Sequence, residues 1–124
     1  MRGNKLVIKT ISTSEWTDKD HVMLHACFQI LVDFIENEKP DKIIQYKPKD
    51  WKELQCLYKY WKIDRPLMEK EINIMEKEWY KKKKNSNSNS GKLFVNIWRK
   101  EKKFFVKENN MLKRLINIRE LLWC

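Results

Sequence analysis

The sequence predicts a mainly α-helical protein, a single-domain bundle of four or five helices over residues 1–124. Apolar residues recur at spacings of three and four in several long segments, which is typical of helices with one buried face. The chain has only two Gly and three Pro, which are too few for the turns of a many-stranded sheet. A length of 124 residues with 42% hydrophobic residues suits one compact core.

An N-terminal arm over residues 1–16 precedes the strongest predicted helix. The β-branched residues at 5–11 allow a short strand in this arm. Thr17 can cap the helix, because acidic residues follow it where the positive end of the helix dipole favours them. Pro40 ends the helix after about Glu38. The apolar stripe of this helix consists of Leu24, Cys27, Phe28, Leu31, Phe34 and Ile35.

Two helices bounded by proline follow. Pro48 or Asp50 begins the second helix, and Pro66 both ends it and begins the third. We expect a short connection at residues 63–65, and therefore antiparallel packing or a steep crossing of these helices. The inward residues are Trp51, Leu54, Leu57, Tyr58 and Trp61 in the second helix, and Leu67, Met68, Ile72, Met75 and Trp79 in the third.

Residues 81–91 are a low-complexity segment of four lysines followed by alternating Asn and Ser. This segment has no apolar surface to bury, so we expect a flexible loop. Residues 92–106 fit both strand and helix periods, with a preference for helix. A final helix is predicted after a cap at Asn109 or Asn110. Its apolar stripe consists of Met111, Leu115, Ile118 and Leu122.

The net positive charge of the chain lies in its last third. The formal net charge is +10, and segments 1–40, 41–80 and 81–124 carry −1, +1 and +10. Such asymmetry points to an anionic partner, namely nucleic acid, an anionic membrane or an acidic protein surface.

The sequence predicts a soluble intracellular protein. No apolar run reaches the ~20 residues of a transmembrane helix. The first eight residues lack the apolar stretch and cleavage site of a secretory signal. Cys27, Cys56 and Cys124 form no CxxC pair, so we expect reduced thiols rather than disulfides or a zinc site.

Nucleic acid is the favoured partner of the basic segment, because Lys and Arg neutralise phosphates and aromatic rings stack on bases. Trp98, Phe104 and Tyr80 are the aromatic candidates, although Trp98 and Phe104 also suit a core. The alternative is a solvated surface in a Lys-rich and Asn-rich chain, and an amphipathic membrane helix over 92–106 ranks third. The predicted binding residues are Lys81, Lys82, Lys83, Lys84, Lys92, Arg99, Lys100, Lys102 and Lys103.

Little in the sequence favours an enzyme, and no cofactor is expected. The chain has no GxSxG, GxGxxG or phosphate-binding GxxxxGK[ST] motif. His21 and His25 are four residues apart, the spacing at which two imidazoles reach one metal ion. Asp33 and Glu36 are further possible ligands, but Glu36 lies about 16 Å from His25 along a helix. Hydrogen bonds and ion pairs within the fold explain these residues without a metal ion, and this explanation is preferred.

Three segments resemble an uncharacterised family of small bacteriophage-encoded proteins. Residues 23–28 and 31–36, MLHACF and LVDFIE, resemble its MLHAxF…LVDFVE signature. Residues 60–66, YWKIDRP, are similar to its YWWKxxRP segment, and residues 111–123 to its MLxRLxxIRxxLW segment. The chain has Cys27 where the family tends to have Asn, and the lysine and serine segment has no counterpart there.

The resemblance implies a phage origin but no activity. It draws attention to a candidate polar network within the matching segments, in which Arg65 and Arg119 would pair with Asp33 and Glu36. His25 would hydrogen-bond nearby.

The expected function is therefore a non-enzymatic phage protein in the host cytoplasm. Its basic last third would bind nucleic acid or a host nucleoprotein such as a defence complex. The first alternative is a virion structural or assembly component that contacts other phage proteins. The second is a metal-dependent enzyme that uses His25, Asp33 and Glu36.

Overall fold

A computed structural model describes residues 6–12, 16–38, 47–84 and 90–122. The mainly α-helical class is confirmed, and within the described residues no strand forms, in the N-terminal arm or elsewhere. The four α-helices are α1 (Lys19–Glu38), α2 (Pro48–Lys59), α3 (Arg65–Lys84) and α4 (Ser90–Asn117). A π-helical turn, Tyr60–Asp64, joins α2 to α3, and a 3-10 turn, Arg119–Leu121, follows α4.

Residue contacts divide the chain into two compact units. The first, the terminal unit, combines residues 1–59 with residues 112–124. The second, the central unit, consists of residues 60–111. A single domain over 1–124 stays a prediction from the sequence.

The terminal unit is built on the packing of α1 against α2. Phe28 and Leu31 of α1 and Leu54 and Leu57 of α2 are fully buried. These four residues belong to the predicted apolar stripes. Gln29 is also buried, and its amide is satisfied because it accepts from the Lys9 backbone N–H at 3.1 Å and donates to Asp33 at 2.9 Å.

Polar contacts also link the parts of the terminal unit. The Tyr58 hydroxyl donates to Glu36 at 2.7 Å, from α2 to α1. Arg114 donates through Nε to Glu53 at 2.9 Å and bonds the same carboxylate through Nη2. These hydrogen bonds lower the pKa of the Glu53 carboxyl.

The predicted connection at residues 63–65 is wrong, because every residue from Pro48 to Lys84 is helical. The loop on which the predicted packing of the second and third helices depended does not form. A proline ring clashes with the carbonyl group four residues before it in a regular α-helix. The π-helical turn just before Pro66 has wider hydrogen bonding and accommodates the ring without ending the helix.

Residues 92–106 and the predicted final helix belong to one helix, α4. The helical preference for 92–106 is therefore confirmed. The predicted cap at Asn109 or Asn110 is wrong, because both residues are exposed in the middle of α4. The buried residues Ile97, Phe104, Met111 and Leu115 recur at spacings of seven, seven and four. This stripe keeps its phase past the asparagines, and burial of one continuous face outweighs their low helix propensity.

The predicted flexible loop at 81–91 is helical at both of its ends. Lys81 to Lys84 form the last turn of α3, which we call the lysine turn, and Ser90 begins α4. Cations in the last turn of a helix interact favourably with the negative end of its dipole. Residues 85–89 lie outside the described residues.

The central unit is an antiparallel helical hairpin made by α3 and the part of α4 up to Met111. Trp79 contacts Phe94 near the connected ends, and Arg65 contacts Glu108 at the other end. Going from 79 back to 65 on α3 covers about 21 Å, and so does going from 94 to 108 on α4. Between the two contacts, the chain covers the same distance in opposite directions on α3 and α4. The two helices are therefore antiparallel. Among the described helices, none combines the length and hydropathy needed to cross a membrane.

Candidate nucleic-acid interface

One exposed side of α4 in the central unit concentrates positive charge. Its residues surround an open depression of about 530 Å³, and we call this surface the basic face. It carries four cationic side chains and no acidic one. The basic face consists of Trp98, Arg99, Lys102, Lys103, Val106, Lys107 and Asn110.

Helical periodicity places these residues on one surface. They form two neighbouring rows with a spacing of four residues, one that begins at Trp98 and one that begins at Arg99. At 1.5 Å per residue, Arg99 and Lys107 lie about 12 Å apart along the helix axis. The opposite side of α4 is buried at Ile97, Phe104 and Glu108, so the basic face points to solvent.

The two acidic residues of α4 lie outside the basic face. Glu108 is buried and paired with Arg65, while Glu101 is half-buried beside Glu76. Burial raises the pKa of the Glu101 carboxyl, and the hydrogen bond and negative charge of Glu76 raise it further. Both acids are therefore engaged within the hairpin and do not neutralise the basic face.

Arg65 is held inside the hairpin from several sides. Its Nε and Nη2 donate to Glu108 Oε1 at 3.0 and 2.8 Å, and its Nη1 lies 2.7 Å from Glu69. The guanidinium carbon is 4.8 Å from the ring centroid of Trp61 and 5.2 Å from that of Phe104. A buried charge with this many partners explains Arg65 as a structural residue.

Tyr60, in the π-helical turn, shares this buried environment. Burial, followed by the negative charge of Glu108, raises the pKa of the Tyr60 phenol to about 12. The phenol therefore stays neutral at physiological pH, and Tyr60 contributes its ring to the core.

The structure brings three of the nine predicted binding residues together on the basic face, namely Arg99, Lys102 and Lys103. Lys100 is bonded to Glu71 of α3, so its charge is already paired. The other five are at the connected ends of the hairpin, in the lysine turn and at Lys92. All of those five are exposed except the half-buried Lys82.

Lys107 completes the basic face but is not among the nine predicted binding residues, although it belongs to the basic last third of the chain. The signal was the spacing of four residues from Arg99 through Lys103 to Lys107. This spacing places the three residues on one surface only if α4 is continuous through Lys107, whereas the segment predicted to prefer a helix ends at residue 106.

The aromatic candidates separate by exposure. Phe104 is 8% exposed and belongs to the core, whereas Trp98 is 54% exposed and Tyr80 is 60% exposed. The Lys102 ammonium lies 5.1 Å from the centroid of the Trp98 ring, a cation–π contact. The basic face therefore joins an accessible ring to cationic side chains.

A second group of rings and cations lies at the connected ends of the hairpin. Trp79 is half-buried and contacts Tyr80 and Phe94, with ring centroids 5.0 and 5.7 Å apart. Lys83 of the lysine turn places its ammonium 4.9 Å from the Trp79 centroid. We call Trp79, Tyr80, Phe94 and Lys83 the hairpin-end cluster.

The predicted polar network has different partners. Among the described residues, Arg65 pairs with Glu108 and Glu69 rather than with Asp33 or Glu36, and Arg119 is exposed. Asp33 accepts from Gln29, and Glu36 accepts from Tyr58. His25 Nδ1 and Thr10 Oγ1 share a hydrogen bond of 2.6 Å. The carboxylates that hold Arg65 therefore belong to its own helix, α3, and to α4, and not to α1 as predicted.

The possible metal ligands gather elsewhere than expected. Among the described residues, one group of His and carboxylate atoms lies within 4.8 Å, and it consists of Asp18, Asp20 and His21 at the start of α1. Its two aspartates are exposed. His25, Asp33 and Glu36 each bond to a separate neighbour. An exposed cluster of this kind does not define a metal centre.

Comparisons of the chain with protein-family models, curated proteins and solved structures found no match.

Proposed function

We propose that the protein binds nucleic acid, free or within a nucleoprotein, through the basic face of α4. The observation that carries the proposal is the grouping of Arg99, Lys102, Lys103 and Lys107 on one exposed surface that itself contains no acidic side chain. Four cations on one face attract a polyanion and release its counterions when phosphates bind.

The arrangement favours contacts to phosphates rather than to specific bases. Three of the four cations are lysines, which act as flexible point charges, and only Arg99 offers the planar, two-pronged geometry of a guanidinium. The lysine turn adds four more cations to the same unit. We therefore infer binding with little sequence preference.

The resemblance to phage proteins supports one biological setting for this activity. A phage protein in the host cytoplasm would encounter both phage nucleic acid and host nucleoproteins such as defence complexes. Much of the basic segment lies outside the family-like signature, so we propose that the binding is a property of this member.

Filter binding of a labelled oligonucleotide across a salt series tests the proposal. We expect clear binding at low salt, with the logarithm of the association constant falling linearly as the logarithm of salt concentration rises. A slope of roughly −3 would correspond to four phosphates, at about 0.7 to 0.9 per phosphate. Absence of binding at low salt, or binding that does not respond to salt, would overturn the proposal.

A further inference from the structure

We infer that the nucleic acid bound by the central unit is single-stranded, with Trp98 as a principal stacking residue. This inference rests on the proposed function and adds the class of nucleic acid. The observation behind it is that exposed aromatic rings lie on the basic face, at Trp98, and beside it in the central unit.

Four aromatic side chains of the central unit are more than half exposed. Tyr80 is 60% exposed, Trp98 is 54% exposed, and Phe94 and Phe105 are each 53% exposed. Removing aromatic surface from water is favourable, so a group of exposed rings is typical of a surface that binds another molecule. The partner should therefore offer flat apolar groups.

Three of the exposed rings share one side of α4. Successive residues turn by about 100° around a helix, so Phe94, Trp98 and Phe105 lie within about 40° of one another. Along the axis, Trp98 lies about 6 Å from Phe94 and about 10 Å from Phe105. Lys102 lies about 40° further around the helix than Trp98, and Arg99 about 100° further, so this aromatic row borders the cations at Lys102.

Each group of rings has its own cation. Lys102 lies over Trp98 on the basic face, and Lys83 lies over Trp79 in the hairpin-end cluster, which also holds Tyr80 and Phe94. A single strand needs both elements at each step, a charge for its phosphate and a flat surface for its base.

A duplex does not use this combination. Its bases are stacked inside the helix, and its phosphates require only cations and hydrogen-bond donors. Unstacked bases, in contrast, can lie on aromatic rings, and each such contact strengthens binding without dependence on sequence. The exposed rings therefore favour a single strand over a duplex of equal charge.

Anisotropy of two labelled probes, a 20-nucleotide oligothymidylate and a 20-base-pair duplex, tests the inference at one salt concentration. We expect the wild-type protein to bind the single strand at least tenfold more tightly. Trp98→Leu should lower the affinity for oligothymidylate roughly tenfold, since one base–ring contact is worth about 1–3 kcal/mol. The affinity of Trp98→Leu for the duplex should change less than twofold. Trp98→Phe should keep most of the wild-type affinity for oligothymidylate.

Trp16→Leu is the matched control, because Trp16 is an 87% exposed tryptophan of the terminal unit. Circular dichroism verifies that each variant keeps its helix content. Equal or tighter binding of the duplex, or an equal loss with Trp16→Leu, overturns the single-strand inference and leaves the proposed function intact. Binding of neither probe overturns the proposed function. Binding of phosphatidylglycerol vesicles in place of both probes overturns both proposals and assigns the aromatic row to a lipid surface.

Discussion

Arg65 donates two hydrogen bonds to one carboxylate oxygen of Glu108, at 3.0 Å from Nε and 2.8 Å from Nη2, and both side chains are only 8% exposed. The pair connects α3 to α4 inside the central unit. A buried ion pair with a single geometry can fix the register of two helices even where its net contribution to stability is small. This pair therefore helps to determine which side of α4 is buried, and so which residues form the basic face.

Breaking the pair from one side should strongly destabilise the protein. Glu108→Gln keeps the side-chain volume but leaves the Arg65 charge buried with Glu69 as its remaining carboxylate. We expect the free energy of unfolding to fall by about 3 kcal/mol. Urea denaturation measures this change.

Glu69→Gln is the matched control, because Glu69 pairs with the same arginine from an exposed position. Its expected cost is below about 1 kcal/mol. Equal costs for the two variants would contradict the structural role given to Glu108.

Replacing Asn109 and Asn110 with alanine should stabilise the protein. Both residues are exposed within α4, where alanine is the better helix former by up to about 0.7 kcal/mol per residue. A helix that began at these residues would instead lose its cap and about 1 kcal/mol. The sign of the change in urea denaturation thus distinguishes one continuous helix from two.

Glu101→Gln should make stability less dependent on pH. The folded state raises the pKa of this carboxyl above its ordinary value of 4.5, mainly through burial and also through Glu76. The wild-type carboxyl therefore contributes stability below the unfolded pKa, and this contribution is lost as pH rises through the folded pKa. Glutamine stays neutral throughout.

Thermal unfolding of the wild type and of Glu101→Gln, measured from acid to neutral pH, tests the direction of this pH dependence. We expect the two proteins to match in acid and the variant to be the more stable at neutral pH. A variant that is less stable at neutral pH would show that Glu101 makes favourable contacts as a carboxylate.

Glu53→Gln should show the opposite pH dependence. Hydrogen bonds from Arg114 lower the folded pKa of Glu53 below 4.5, so the ionised carboxylate stabilises the protein above the unfolded pKa. This contribution is lost as pH falls through the lowered pKa. Because both side chains are partly exposed, we expect glutamine to cost about 0.5 kcal/mol at neutral pH.

The cost of Glu53→Gln should vanish in strong acid, where the wild-type carboxyl is also protonated. Urea midpoints measured from neutral to acid pH check this. A constant difference between the two proteins at every pH would show that the charge of Glu53 is not responsible.

The sequence alone predicted the helices and buried faces in segments where one side of the helix had to be apolar. The stripe from Leu24 to Phe34 predicted α1, and the buried Leu54 and Leu57 match the predicted face of α2. These assignments succeeded because burial imposes a helical period on the residue types themselves.

Local signals misled where tertiary packing overrode them. Pro66 and the pair Asn109 and Asn110 are typical helix boundaries, yet helix passes through each because the apolar face continues on both sides. The basic face was predicted only in part. The positive charge of this segment was evident from the sequence. Its convergence on α4 required a continuous helix and the burial of Glu108, which residue spacing did not predict.

The most direct test of nucleic-acid binding through the basic face compares two triple variants that lose equal charge. Arg99→Gln/Lys103→Gln/Lys107→Gln removes three cations of the basic face, and Lys49→Gln/Lys52→Gln/Lys59→Gln removes three exposed lysines of α2. Each is titrated with a labelled single-stranded oligonucleotide across a salt series. We predict that the first variant loses at least tenfold in affinity at low salt, and that its salt slope becomes shallower by roughly 2. The α2 variant should stay close to wild type, and equal losses in the two variants would contradict binding through the basic face.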